Sequence, residues 1–266
     1  MPRRRLDAEL VRRGLVRSRE EAREAVSAGL VLVGGTPADK PARLVDEGEP
    51  LHLEAAVRRF VSRGGEKLDA ALDRFPVAPD DRECLDAGAS TGGFTDVLLR
   101  RGARRVVAVD VGYGQLDWSL RTDPRVVVIE RTNVRDLVAG SLPVSPSIVV
   151  ADLSFISLTV VLPALVRIAA AGADLVLLVK PQFEADRRAV SRGGVVRDPA
   201  VWRAAIGRVA DACAAAGAAS LDVMVSPLPG PAGNIEFLLH ARIGATPTAI
   251  PVDAAIADAE RIAGAA

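Results

Sequence analysis

From residue 83 to residue 242, short apolar runs alternate with helical patterns, and no other feature of this 266-residue chain limits its fold so strongly. The candidate strands are Glu83–Ala87, Arg105–Val109, Val126–Ile129, Ser147–Ala151, Leu175–Val179, Leu221–Val225 and Ile235–Arg242. Strands separated by helices pair in parallel, because each helix carries the chain back over the sheet. The pattern therefore predicts a doubly wound α/β fold. The last two runs are joined only by the Pro- and Gly-rich stretch Ser226–Asn234, too short for a crossover. It predicts an antiparallel hairpin. A mostly parallel, Rossmann-like sheet with one terminal antiparallel strand is the result. From Asp253 the tail reads as an Ala-rich helix that serves as packing surface.

Residues 1–53 follow a different plan. An amphipathic helix runs from Leu6 to near Gly14, and Ser18 with Glu21 forms a capping-box start for a second helix ending at Gly29. Leu30–Val33 reads as a strand before the Gly34-Gly35 turn, and Leu44–Leu53 as another short strand, so this unit is a small α+β domain. Arg3, Arg4, Arg5, Arg12, Arg13, Arg17 and Arg19 crowd the first helix and the turn after it. On charge alone they could be an ordinary solvated face. The order of features resembles the alpha-L RNA-binding domain that ribosomal small-subunit protein four shares with many RNA-modifying enzymes. That resemblance implies that these arginines meet RNA phosphates in a salt-sensitive manner. Residues 54–65 read as a connector, in which Arg58 and Arg63 extend the expected RNA-binding set, and residues 66–266 as the larger domain.

Composition narrows the classes. Lys and Arg number 34, as do Asp and Glu, so the chain is not an indiscriminate polyanion binder, although a local basic patch remains open. No apolar run has the ~20 residues of a membrane helix, and no apolar stretch follows the opening arginines, so no membrane partner and no secretory leader are expected. Cys84 and Cys213 read as buried free thiols of a cytoplasmic protein. With so few Cys and His, no metal site is expected.

The chemistry is expected first at Leu85–Phe94, which closes the first strand of the large domain and opens a helix. Asp86, Gly88, Ser90, Thr91, Gly92, Gly93 and Phe94 would bring backbone close to a ligand, and Asp110 ends the next strand, where an acid can grip a ribose diol. A dinucleotide site wants Gly-x-Gly-x-x-Gly, which is absent, and Asp86 would repel its pyrophosphate. A hydrolase elbow, Gly-x-Ser-x-Gly, fits Gly88–Gly92 literally but needs a histidine on the same edge. His240 lies in a strand roughly 13 Å beyond Glu236. A nucleoside carrying a cationic sulfonium, S-adenosylmethionine, suits the two acids best. Asp152 and Lys180 then follow parallel strands at their carboxyl ends and Glu236 starts the antiparallel one, so three charged groups converge on one rim, and Lys67, which precedes the first strand, could close the set.

Here the resemblance widens to the whole chain. Ser62–Leu68, Leu85–Phe94, Asp110–Leu116, Glu130–Asn133, Ala151–Leu158, Leu178–Phe183, Gly193–Asp198 and Gly233–Glu236 resemble the hemolysin-A-type ribosomal RNA methyltransferases, whose catalytic domain is similar to that of the RrmJ/FtsJ ribose methyltransferases. The resemblance implies that Lys67, Asp152, Lys180 and Glu236 form a Lys-Asp-Lys-Glu catalytic tetrad, with Lys180 as general base, and that Asn133 and Asp152 join the cofactor set. The opening residues resemble the longer family type, which implies 2′-O-methylation of cytidines in small- and large-subunit rRNA by a monomer. The family's linker often reads Arg-x-Trp-Val, whereas Arg58-Arg59-Phe60-Val61 stands here without an indole N–H. Alternatives are a ribosome-binding assembly factor on a methyltransferase fold, a membrane-lytic hemolysin, and a base methyltransferase. Against the last, Asp152-Leu153-Ser154-Phe155 stands where an amino-group methyltransferase carries an Asn/Asp-Pro-Pro-Tyr-like motif.

Overall fold

The computed structural model describes residues 3–16, 18–53, 59–186 and 193–265, which fall into two compact units divided between Arg58 and Arg59. Within the first unit, β1 (Arg4–Arg5) leads into α1 (Leu6–Arg12), and α2 (Arg19–Ser27) follows. The Ser18 hydroxyl accepts from Glu21 N at 3.1 Å, the expected cap. β2 (Val31–Val33) pairs antiparallel with β3 (Thr36–Pro37) and β5 (Leu51–Leu53), while β4 (Leu44–Val45) pairs with β1. The strand expected over Leu44–Leu53 is thus two strands in two sheets. A turn in which Glu49 N donates to Asp46 O (3.1 Å), with Gly48 inside it, separates them. Leu6, Leu10, Ala22, Val26, Val31 and Val33 close one small core.

The second unit begins its regular structure with α3 (Gly64–Arg74), β6 (Glu83–Ala87), α4 (Gly93–Arg100), β7 (Arg105–Val109), α5 (Trp118–Arg121) and β8 (Val126–Ile129). Then come β9 (Ile148–Ala151), α6 (Leu158–Ile168), β10 (Asp174–Val179), α7 (Pro181–Glu184), α8 (Pro199–Ala215), β11 (Ala218–Val225), β12 (Phe237–Ile243) and α9 (Val252–Ala265). Seven strands lie in the order β11-β12-β10-β9-β6-β7-β8. The hairpin is as expected, but its antiparallel strand β12 is inserted between β10 and β11 and so lies inside the sheet.

Two apolar layers cover the sheet. Leu68, Leu72, Phe94, Val97 and Leu98 of α3 and α4 pack on the face presented by Cys84, Ala108, Val150, Val176 and Leu238. Leu162, Leu165, Trp202, Ile206 and Ile256 of α6, α8 and α9 pack on the other face. Side chains alternate across a strand. Even-numbered residues of β6, β7, β9 and β10 therefore share the α3–α4 face, a parity that continues into Asp86, Asp110, Asp152 and Lys180. The strand order reverses between β6 and β9, the switch point at which open α/β sheets form their cleft. Helix α3 starts inside the expected connector. Its glycine pair is a poor helix former, but a Cβ on Gly93 would strike the Ser62 hydroxyl and come within 2.8 Å of Gly65 N. The starts of α3 and α4 thus touch backbone to backbone, which only glycine permits.

Candidate active site

At the rim, the four expected catalytic residues fall into two ion pairs. Lys180 Nζ lies 2.6 Å from Asp152 Oδ1 and 3.0 Å from the Ser154 hydroxyl. Lys67 Nζ, brought over by α3, lies 2.5 Å from Glu236 Oε2, and both of these side chains are buried. Register explains the proximity, since Val179 pairs with Phe237 across β10 and β12, placing Lys180 beside Glu236 in the next step of the ladder. A Cβ on Gly64 would stand 3.9 Å from Asp152 Oδ2, so the start of α3 adjoins the Lys180–Asp152 pair as well. The charge of Lys67 is met by Glu236.

The loop holding Glu236 is clasped from behind. Asn234 accepts from Val196 N and donates to Gly194 O, both at 2.9 Å, and Trp202 Nε1 donates to Val196 O at 3.1 Å. Arg63, expected to meet RNA, belongs to the second unit and donates weakly to Pro229 O at 3.5 Å on this same loop.

After β6 the chain turns sharply. Gly88 has φ +88°, and a Cβ there would lie 2.5 Å from the Asp152 carbonyl oxygen. Ser90 is exposed with φ +47°, and its N–H donates to Asp110 Oδ2 at 2.8 Å, while Gly112 N donates to Oδ1 at 2.6 Å. Asp110 therefore pins two loops yet keeps lone pairs for further donors. Exposed Val111 stands beside it. Thr91 and Asn133 are half-buried, and Asn133 accepts from Arg135 N at 3.1 Å to cap a short 3-10 turn.

Three residues of the expected cofactor loop have close contacts within the protein. Phe94 is buried in the α3–α4 core, and Gly93 is needed for the contact with Ser62 and Gly65. Asp86 is fully buried beneath the loop. Its Oδ2 accepts from the Thr95 hydroxyl at 2.7 Å, and Oδ1 has no partner among the described residues. Burial pushes its carboxyl up to about 7; the Thr95 bond opposes this, and nearby Asp152 and Asp110 add to it. A nucleoside with a sulfonium fits what remains. Acids line the edge, Val111 offers an apolar surface, and residues 86–94 contain none of the cations that a phosphate cradle would use.

The hydrolase reading does not fit. His240 is wholly buried in β12, bonded to Asp174 at 2.9 Å and stacked on Phe75. Both cysteines are free and buried, their thiols pushed up to about 12 by burial. Among the described residues no group of His, Cys, Asp and Glu could hold a metal, and no helix is long and apolar enough to cross a membrane.

Sequence reasoning missed the aromatics. Phe155 is 93% exposed at φ +64°, with its ring 5.4 Å from that of Phe183, which in turn lies 5.9 Å from Lys180 Nζ. A large apolar side chain held open in a strained backbone conformation is rare unless something is meant to cover it. Near Asp110, exposed Tyr113 carries the Arg131 guanidinium 4.2 Å above its ring. Phe60, in place of the expected indole, is buried between Arg59 and Arg100, and Val61 N donates to Asp96 at 2.9 Å, fastening this segment to α4.

In the first unit the arginines are organised by two acids. Asp7 takes Arg5 at 2.9 Å and Arg19 at 3.1 Å, and Glu9 takes Arg12 at 2.6 Å, Arg13 at 2.8 Å and Arg4 at 3.9 Å. Arg3 pairs with Asp46 at 3.2 Å. Arg13 also donates to the carbonyls of Asp46, Glu47 and Glu49, so its guanidinium is largely consumed by the fold. Arg17 and Arg58 lie outside the described residues.

A sheet of this order, with acids closing its strands around a glycine turn and paired lysines at the rim, defines a methyltransferase that uses a nucleoside cofactor. Residues 60–243 match the FtsJ-like methyltransferase family and residues 4–51 the S4 domain; the chain belongs to the FtsJ-like methyltransferases. It is 55% identical over 90% of its length, and 89% of the relative's, to the 16S/23S rRNA (cytidine-2'-O)-methyltransferase TlyA of Mycobacterium tuberculosis. It is 38% identical to Hemolysin A of Brachyspira hyodysenteriae, over 89% of this chain and 98% of that one. A solved structure from Streptococcus thermophilus, provisionally named a hemolysin, superimposes with a TM-score of 0.79 at 40% identity, covering 98% of this chain and 97% of that one.

Proposed function

We propose that this chain transfers a methyl group from S-adenosylmethionine to the ribose 2′-hydroxyl of cytidines in small- and large-subunit bacterial rRNA. Residues 1–53 would capture RNA, 54–65 connect, and 66–266 catalyse, in a cytoplasmic monomer. The convergence of Lys180–Asp152 and Lys67–Glu236 on one rim carries the reading, and the name of the mycobacterial relative supports the substrate. The cofactor, when bound, supplies an electrophilic methyl group. Gly88, Ser90, Thr91, Asp110, Asn133 and Asp152 would hold it.

A ribose hydroxyl is a weak nucleophile until its proton leaves. Lys180 takes that proton as the neutral amine, so the ammonium paired with Asp152 must first release its own. Asp152, whose side chain is 25% exposed, offers that proton a path to solvent and keeps Nζ aimed at the hydroxyl. Lys67 and Glu236 form a buried, mutually neutral pair that fixes the floor of the site. Placing oxygen and methyl in line at ~3 Å is the remaining contribution of the rim.

The test is methyl transfer from labelled S-adenosylmethionine to unmethylated bacterial ribosomal subunits, with the product mapped. Methyl on a ribose 2′-oxygen is expected. Methyl on a base would overturn the reading, and cofactor binding without transfer to either subunit would favour an assembly role.

A further inference from the structure

We propose that Asp7 and Glu9 are positioning residues for RNA recognition, holding the arginines of the first unit as a fixed array of guanidiniums. The inference rests on the RNA-binding reading above. Both acids stand in α1 among cations, and neither side chain is exposed. Arg5 meets Asp7 through Nε and Nη2 at 3.1 and 2.9 Å, and Arg12 meets Glu9 in the same manner at 2.8 and 2.6 Å. Arg19 reaches both oxygens of Asp7, and Arg23 stands 3.7 Å away.

A guanidinium has five N–H donors in a rigid plane. Binding a carboxylate through one edge leaves the other edge directed elsewhere. The side chains of Arg5, Arg12, Arg19 and Arg23 remain 46, 42, 52 and 59% exposed, so donors are left for phosphate oxygens. Arginine is flexible, and fixing it beforehand removes an ordering cost from binding and sets the spacing that the RNA must match. Arg5 and Arg19 hold Asp7 down to about 2, and Arg12 and Arg13 do the same for Glu9, so the array persists at any pH where RNA is bound.

The competing view is a diffuse positive face in which every charge simply adds. The two views predict opposite signs. Asp7→Asn and Glu9→Gln each remove a negative charge, so a diffuse face must bind every RNA more tightly. A fixed array must bind its structured target more weakly while poly(U) binds as well as before or better.

The experiment measures binding of the full chain to a bacterial ribosomal subunit and to poly(U), over a range of salt, with thermal melts as a folding control. The expected result is a five- to tenfold loss on the subunit and none on poly(U). Equal tightening on both overturns the proposal. If an acid variant fails to fold, Arg5→Lys and Arg12→Lys decide, since they keep the charge but lose the two-pronged geometry. Undiminished subunit affinity in both also overturns it. Failure of the wild-type chain to bind subunits at all would instead strike the RNA-binding reading itself.

Discussion

Lys180 and Asp152 close adjacent parallel strands, and their charged atoms meet at 2.6 Å with the side chain of the lysine nearly covered. If Lys180 accepts the ribose proton, its ability to become neutral is what matters, not its charge. Lys180→Ala should lower kcat by about 10²–10⁴, the usual worth of a positioned base, with cofactor affinity changed only a few-fold. Lys180→Arg is the sharper variant, because a guanidinium stays protonated. Single-turnover methyl transfer should be as poor in Lys180→Arg as in Lys180→Ala. Substantial activity in Lys180→Arg would mean that the residue acts as a fixed cation.

The Lys67–Glu236 pair is buried on both sides, so its members should be costly to separate and cheaper to remove together. Glu236→Gln or Lys67→Met leaves a lone buried charge, with an expected loss of about 3–5 kcal/mol in denaturant unfolding. The double change Lys67→Met with Glu236→Leu should recover much of that stability. It should not recover methyl transfer. A double variant that regains both would show the pair to be structural only.

The rim was legible in the sequence because it obeys a parity. Asp86, Asp110, Asp152 and Lys180 end or follow parallel strands at even positions, so a correct strand assignment places them on one edge and one face. Glu236 followed from the shortness of Ser226–Asn234, which allows only a hairpin. What stayed hidden depends on contacts between distant segments. Helix α3 was obscured by Gly64 and Gly65, whose poor helix propensity is overridden by the meeting with Gly93. The sandwiching of β12 is a choice of edge that pattern alone does not encode. The burial of Asp86 beside Thr95 of α4 leaves no mark on its neighbours in the chain. The exposure of Phe155 stayed hidden because sequence does not report φ.

Phe155 should matter to RNA and not to the fold. Its ring is almost wholly exposed and its backbone is in the left-handed region, where glycine is at ease. Phe155→Gly should therefore leave stability unchanged or raise it by about 1 kcal/mol. If the ring stacks on a base of the substrate, loss of that contact should cost about 1–3 kcal/mol, a reduction in kcat/KM of roughly 5- to 150-fold. Cofactor affinity by calorimetry should not move. Full activity on ribosomal subunits in Phe155→Gly would remove the aromatic pair from the site.

Asp86 makes the stability of the large unit depend on pH in a direction opposite to that of an ion-paired acid. Its folded-state value of about 7 lies above the ordinary aspartate value, so between pH 4 and 7 the folded chain retains a proton that the unfolded chain has lost. Stability therefore falls as pH rises through this window and levels off above about 7. Asp86→Asn keeps the shape, presents a side-chain amide to the Thr95 hydroxyl and cannot ionise. The variant should gain on the wild type by an amount on the order of 1–4 kcal/mol at pH 8, with the advantage shrinking as pH approaches 4. The measurement is the difference between the two chains in denaturant midpoint across pH, in which every shared titration cancels. A pH-independent difference would mean that Asp86 is ionised in the folded chain throughout, and its unpartnered oxygen would then have to be met by a cation or by water.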